Sequence, residues 1–420
     1  MDLTRHPCFN PKAKGECARI HLPVAPKCNV LCNFCNRKYD CVNESRPGVT
    51  SAVLSPAQAE EYLAKVMERV PNITVVGIAG PGDPFANPKE TLETMRRIRK
   101  RWPEMLLCLS SNGLEIGDYI EEIARIGVSH VTITVNAVDP KIASKVYSWA
   151  RVGKVIHRGD AIGEVIVKAQ TDAIKRLKEL GVTVKVNSIF IPGVNDHHME
   201  EIAQTMKSYG VDLFNCMGLI PNPDTKFEKV PAPSKADICI IRDTCETYLP
   251  QMRHCQRCRA DAVGLLEKDQ SMELSGLLGE CSQMIVPADA TRPNIAVASM
   301  EGMLVNQHLG EASRFLIYGQ DADKVVLLEE RDAPKPGGGG QRWYTLADTL
   351  KDCRAILVSG IGETPRAVLE EEGLTVVEMD GLIEQGLEAV YGSGDISQLA
   401  KRRRGVSGGC CKGGGGVGCG

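Results

Sequence analysis

Cys28, Cys32 and Cys35 stand in the spacing CxxxCxxC, written out as Cys28-Asn29-Val30-Leu31-Cys32-Asn33-Phe34-Cys35. Three thiolates so spaced can ligate three irons of a [4Fe–4S] cube. The fourth iron then stays open to a ligand from outside the chain. An amino acid's amine and carboxylate could chelate it and bring an attached sulfonium within electron-transfer range. A zinc knuckle is the competing reading. Zinc wants a fourth ligand, and Cys41 or His21 could supply one.

Other potential ligands crowd the same end of the chain. Of 17 cysteines in 420 residues, Cys8, Cys17, Cys28, Cys32, Cys35 and Cys41 precede residue 42. Cys108 follows, and Cys255 and Cys258 sit in His254-Cys255-Gln256-Arg257-Cys258-Arg259. No apolar run reaches the ~20 residues of a membrane span, and Met1 to Pro7 carry no apolar signal core. The expected compartment is the cytoplasm, where a disulfide framework is not expected. Metal or cluster ligation explains the excess better. Cys8, Cys17, His21, Cys41, Cys108, Cys255 and Cys258 would suffice for two more clusters with incomplete protein ligation. Cys216, Cys239, Cys245, Cys281 and Cys353 have no such context and read as buried apolar thiols. His130 and His157 read as structural, and His197-His198 as a polar helix start.

Apolar residues make up 43% and charged residues 25%, and the net charge is −3. That balance favours neither nucleic acid nor an anionic membrane as a partner. The run Lys401-Arg402-Arg403-Arg404 reads as a solvated flank of the glycine-rich end.

The elements that must position these residues alternate. Ser55-Pro56 starts a helix, with apolar positions at Ala59, Leu63, Val66 and Val70. Strands are expected at Ile20–Val24, Ile73–Ala79, Met105–Leu109, Val131–Val135, Thr183–Phe190 and Leu213–Met217, with helices between them. Six strands alternating with helices predict a parallel sheet with crossovers. Residues 232–268 read as mostly helical. The expected domains are a cysteine-rich segment over 1–50, a partial barrel with its extension over 20–268, a linker over 269–292, a small α/β domain over 293–392 and a Gly/Cys-rich tail over 393–420. The stretch Pro336 to Gly340 reads as a flexible loop.

The cysteine loop directly after the first strand resembles the radical S-adenosylmethionine (radical SAM) superfamily. The resemblance implies a partial (β/α)6 barrel, a [4Fe–4S] cluster on Cys28, Cys32 and Cys35, and S-adenosylmethionine on its open iron. The segments expected to hold that cofactor lie at successive strand ends. They contain Gly80, Gly82 and Asp83, then Ser111 and Asn112, then Asn136, then Asn187. Each alone is ordinary turn chemistry.

Over about residues 4–268 the chain resembles the nitrogenase cofactor maturases. The carrying motifs are HPCFN at 6–10, CxxxCxxC at 28–35, DCVNESRPGV at 40–49, AGPGDP at 79–84 and HCxxCRADAVG at 254–264. The resemblance implies that two further [4Fe–4S] units, K1 and K2, are fused as substrates into an eight-iron core. That core gains an extra sulfur and a carbide derived from the cofactor's methyl group. It implies His21, Cys41, Cys108 and Cys17 as K1 ligands, and Cys255, Cys258 and Cys8 as K2 ligands. Glu44 and Arg46 become candidates for proton handling or cofactor positioning, against a structural ion pair. Residues 293–392 resemble the NifX/NafY-type, RNase H-like cofactor-binding domains, with His308 a candidate ligand and the Cys410, Cys411 and Cys419 tail a possible helper. The implied partners are iron-sulfur donor proteins, a ferredoxin or flavodoxin, and downstream nitrogenase cofactor carriers. A non-catalytic cluster carrier and a peptide-modifying radical enzyme with auxiliary clusters are the competing functions.

Overall fold

The computed structural model describes residues 2–43, 48–284, 292–321, 324–337 and 339–391. Glu44, Arg46, most of the Pro287–Pro293 boundary, Lys401–Arg404 and the cysteines of the tail lie outside those residues. The chain divides into two units, Met1–Ser282 and Gln283–Gly420. Among the described residues no helix is long and apolar enough to cross a membrane.

In the first unit, apolar runs ended by Gly, Pro, Asn or Ser become strands. They are β1 (Ala18–His21), β2 (Val30–Cys32), β3 (Ile73–Ile78), β4 (Leu106–Ser111), β5 (His130–Thr134), β6 (Tyr147–Val152), β7 (Val155–His157), β8 (Thr183–Phe190), β9 (Leu213–Gly218) and β10 (Val263–Gly264). The main sheet runs β10-β1-β3-β4-β5-β8-β9. Its six long members are parallel, and β10 closes one edge antiparallel to β1. Helices Pro56–Arg69, Pro88–Arg101, Ile120–Ile126, Asp160–Glu179 and Met199–Ser208 follow the alternation. Ser55 caps the first of them in a reciprocal box with Gln58, which satisfies backbone donors that a helix start otherwise leaves bare. This is the partial (β/α)6 barrel expected from the sequence.

Three local expectations differ from the structure. Only Lys235–Glu246 of residues 232–268 is helical. Pro250 and the side-chain-bonded segment 253–261 hold most of the rest in irregular backbone, since proline and competing polar side chains both oppose helix, and Val263–Gly264 forms β10. The stretch 269–292 carries the helix Ser275–Gln283, which buries Leu277, Leu278 and Cys281. Cys239 is exposed, whereas Cys216, Cys245, Cys281 and Cys353 are buried. In addition, β6 and β7 form a hairpin around Gly153, and β6 pairs with β2. The cluster loop is thereby held in a sheet of its own, with Cys32 opposite Tyr147.

The second unit contains β11 (Asn294–Val297), β12 (Leu304–Val305), β13 (Arg314–Asp321), β14 (Lys324–Asp332), β15 (Cys353–Val358), β16 (Thr375–Glu378) and β17 (Gly381–Leu382). Its sheet runs β14-β13-β11-β15-β16. An antiparallel hairpin joins three parallel strands, the small α/β architecture expected. Alternate residues of β11 and β15 bury opposite faces. Ala296 and Ile356 pack with Leu346 and Leu369, and Ile295 and Leu357 pack with Ile383 and Leu387.

Candidate active site: a cluster pocket and a cysteine-lined chamber

Side chains of a strand alternate between its faces, so the barrel interior is lined by every second residue. Those residues are Arg19 and His21 of β1, Val75 and Gly77 of β3, Cys108 and Ser110 of β4, Thr132 of β5, Lys185 and Asn187 of β8, and Asn215 and Met217 of β9. Their neighbours Ile20, Val76, Leu107, Val131, Val184 and Phe214 are buried and apolar. A packed interior would be apolar on both sides of the sheet. Here the inward set is polar and rich in ligand atoms, which marks a site rather than a core.

The N-terminal segment and the segment after the last strand complete this chamber. His6 and Cys8 line it from one side, and Cys255 and Cys258 from another. The two segments are tied together where His254 Nε2 donates to the carbonyl of Pro7 at 3.0 Å. Arg19, 1% exposed, donates to the carbonyls of Gly264 (2.6 Å) and Leu265 (3.2 Å), to Asp269 (2.8 Å) and to Cys258 Sγ (3.3 Å). It therefore places a fixed positive charge against one of the thiols. Lys185 places a second, within 3.8 Å of Met252 Sδ. Burial pushes the Cys8 thiol up to about 12, and the Lys185 charge opposes the shift.

His21 is poised as a ligand. Its Nδ1 lies 3.0 Å from the carbonyl of Arg259. A carbonyl only accepts, so the proton sits on Nδ1 and Nε2 keeps a lone pair, the usual arrangement for a metal-binding imidazole. Burial, then the Arg19 charge, lowers its pKa to about 4, so the ring is neutral at working pH. Gly77 makes room for it: a Cβ there would lie 3.1 Å from His21 Cδ2.

Further along the same strands lies a second pocket, lined by Cys28, Cys32, Cys35, Arg37, Cys41, Asn43, Gly82, Asp83, Asn112 and Thr134. From Ser110 of β4 in the chamber to Asn112, just past the strand's end in this pocket, the step is two residues, or about 7 Å of extended chain. The segment Gly80–Asp83 is fastened to the chain leading into Cys28. Gly82 N–H donates to Ala25 at 2.6 Å and Asp83 N–H to Lys27 at 2.8 Å. A Cβ on Gly82 would fall 2.1 Å from the Lys27 carbonyl oxygen, so only glycine permits this approach. Asp83 accepts from Ser111 Oγ, the Asn112 amide (2.7 Å) and the Phe85 amide (2.9 Å). Burial pushes its carboxyl up to about 6, and those donors restrain the rise. Asn112 Nδ2 reaches Cys28 Sγ at 3.9 Å, and Asn43 Nδ2 reaches Cys32 Sγ at 3.4 Å. Burial raises the thiols of Cys28, to about 12, and of Cys32 and Cys35.

Asparagines connect the two cavities. Asn136 donates to Asn43 Oδ1 (3.3 Å), Asn187 to the Asn43 carbonyl (3.2 Å), Asn215 to Asn187 Oδ1 (3.0 Å), and Asn215 also to Cys255 Sγ (3.4 Å). Of the residues singled out from the sequence, the chamber brings together His21, Cys8, Cys108, Cys255, Cys258 and Asn187. The pocket brings together Cys28, Cys32, Cys35, Cys41, Gly82, Asp83 and Asn112. Ser111 stands behind Asp83. Gly80 takes φ 131, a conformation open to glycine. Cys17 is buried and lines neither cavity. The cavities also take in His6, Arg19, Asn43, Lys185 and Asn215, which sequence alone does not mark as functional. A lone lysine or asparagine inside an apolar strand was the available signal.

The thiols surround each cavity rather than converge on a point. Among the described residues no three His, Cys, Asp or Glu side chains come close enough to hold a single metal ion. In the second unit His308 is exposed, and its Nδ1 accepts from the Gly310 amide at 3.1 Å.

The half-barrel and its three-cysteine pocket define a radical SAM enzyme. The family model described as Radical SAM superfamily matches residues 22–206, and the one described as Dinitrogenase iron-molybdenum cofactor matches residues 292–393. The FeMo cofactor biosynthesis protein NifB of Chlorobaculum tepidum is 49% identical, over 96% of this chain and 95% of its own. The protein of the same name from Klebsiella pneumoniae is 38% identical (88% and 86% covered), and that from Azotobacter vinelandii 36% (93% and 88%). The chain belongs to the NifB family and is a radical SAM enzyme of FeMo cofactor biosynthesis. That family membership brings a [4Fe–4S] cluster and S-adenosylmethionine as its cofactors.

Proposed function

We propose that the chain fuses two [4Fe–4S] substrates, K1 and K2, into the eight-iron precursor of the nitrogenase cofactor, with an added sulfur and a carbide taken from a methyl group of S-adenosylmethionine. The observation that carries this reading is the chamber. One cavity gathers His21, Cys8, Cys108, Cys255 and Cys258 beside the pocket of Cys28, Cys32 and Cys35. A lone radical SAM site has no need of a second set of soft ligands in the barrel floor.

In this reading Cys28, Cys32 and Cys35 hold the resident cluster, and the backbone and side chains of Gly80, Gly82, Asp83, Ser111, Asn112, Asn136 and Asn187 form the wall for the cofactor. When bound, the pair supplies methyl transfer and a hydrogen-abstracting 5′-deoxyadenosyl radical. His21 and Cys108, with Cys41, hold K1; Cys17, the fourth ligand the resemblance implies, lines neither cavity and is left out of the set. Cys255 and Cys258, with Cys8, hold K2. Cys41 lies beside Cys32 in the upper pocket, each sulfur within reach of Asn43, so K1 would face the resident cluster. Few ligands per substrate, one of them an imidazole, suit a product that must leave. Arg19 and Lys185 offset the negative charge that thiolate-ligated clusters bring into a buried site. Glu44 and Arg46 handle protons or position the cofactor. The second unit receives the product, with His308 as a ligand, before transfer to a carrier. Iron-sulfur donor proteins load the substrates, and a ferredoxin or flavodoxin supplies electrons in the cytoplasm.

Anaerobic reconstitution tests the reading. Iron well above four per chain, 5′-deoxyadenosine on reduction, and a transferable eight-iron product are expected. Cofactor cleavage without that product would favour a peptide-modifying enzyme, and iron loading without cleavage a carrier.

A further inference from the structure

His6 lines the chamber, is 2% exposed, and packs its ring 4.3 Å from that of His130 and 4.7 Å from that of Phe9. Its Nδ1 lies 3.2 Å from the backbone nitrogen of Cys8. A backbone N–H only donates, so Nδ1 accepts and the ring proton belongs on Nε2. That Nε2 is buried and takes no hydrogen bond among the described residues. A buried donor left unmatched is unfavourable, a cost that a ligand accepting from Nε2 would remove. The tautomer is the reverse of that of His21, whose Nδ1 gives its proton to the Arg259 carbonyl. The two imidazoles of the chamber are thus set for opposite tasks. One offers a lone pair and the other an N–H.

We propose that His6 is a positioning residue, donating its Nε2 hydrogen to a sulfur atom of the iron-sulfur substrate held in the chamber. This rests on the chamber reading above. The acceptor is a bridging sulfide or ligand thiolate, because Cys8, Cys108, Cys255 and Cys258 surround the same space and cluster sulfurs accept such bonds. A hydrogen bond to sulfur raises the potential of a cluster and fixes its orientation.

The test is an anaerobic redox titration followed by electron paramagnetic resonance, comparing the reconstituted full chain with His6→Leu and His6→Gln. His6→Leu is expected to retain the iron and the strong nitrogen coupling of a histidine ligand. The potential of one chamber cluster should move to a more negative value, and product yield should fall. His6→Gln, whose amide can donate, is expected to recover part of that shift. Loss of the strong nitrogen coupling in His6→Leu would make His6 a ligand and overturn the assignment; an unmoved potential would also overturn it. Should His6→Leu fail to fold, wild-type protein carrying 15N-histidine decides the matter. A weak second histidine coupling beside the strong one is expected, and its absence overturns the proposal. A wild type showing only the cluster that responds to S-adenosylmethionine would overturn the chamber's role itself, and this inference with it.

Discussion

Gly82→Ala tests whether the glycine-rich segment fixes the cluster loop. The added Cβ would lie 2.1 Å from Lys27 O, 2.6 Å from Lys27 C and 2.8 Å from Pro26 O. All three are backbone atoms, so no side-chain rotation relieves the clash. Ordinary contact begins near about 3.5 Å, so the chain before Cys28 must retreat by about 1 Å or more. The retreat also lengthens the hydrogen bonds from Gly82 to Ala25 and from Asp83 to Lys27. A misplacement of about 1 Å typically costs about a hundredfold in rate, or about 2.7 kcal/mol of barrier. The assay is 5′-deoxyadenosine formation under single-turnover conditions on anaerobically reconstituted protein, with iron content measured on the same sample. A rate about a hundredfold lower is expected. Gly276→Ala, where a Cβ meets nothing within 4 Å, is the control and should match the wild type. A wild-type rate in Gly82→Ala would refute the reasoning.

Cys255→Ala is expected to leave 5′-deoxyadenosine formation largely intact while the eight-iron product disappears; unchanged product yield would remove Cys255 from the K2 ligands. Arg19→Met should lower stability in a denaturant titration by about 3 kcal/mol, because Asp269 loses its buried partner; a change below about 0.5 kcal/mol would show that the pair contributes little. In the second unit, the Arg331 hydrogen bonds and charge hold the Asp352 carboxyl down to about 2. The unfolded value is about 3.9, so the contribution is fully present above about pH 5 and is lost as pH falls through 2. With Asp352 a third exposed, solvent screening leaves about 1–2 kcal/mol. Asp352→Asn should therefore lower the unfolding midpoint of that unit at pH 7 but much less at pH 2, as followed by calorimetry; an equal loss at both would contradict the assignment.

Much of the fold was legible because each barrel strand is a short apolar run ended by turn residues, and β8 appears at the bounds expected of it. The hairpin of β6 and β7 was not, although Tyr147-Ser148-Trp149-Ala150-Arg151-Val152 has strand composition. It buries few apolar residues, and its partner β2 is a stretch of only three residues within the cysteine loop. The segment 247–268 misled for another reason. Its conformation is set by distant partners such as Pro7, Arg19 and Val49, which no local pattern encodes. Within the site, cysteines stand out by type and spacing. Arg19, Lys185 and Asn215 become functional candidates only when strand register turns them into one cavity. The opposite tautomers of His6 and His21 depend on single backbone atoms, Cys8 N and Arg259 O, and so could come only from the structure.

The most direct measurement is the electron paramagnetic resonance spectrum of the reduced, oxygen-free protein before and after S-adenosylmethionine is added. The account predicts that the signal of one cluster changes, that Cys32→Ala removes that response, and that signals from the chamber clusters survive the substitution. A spectrum indifferent to S-adenosylmethionine in the wild type, or a response that persists without Cys32, would contradict it.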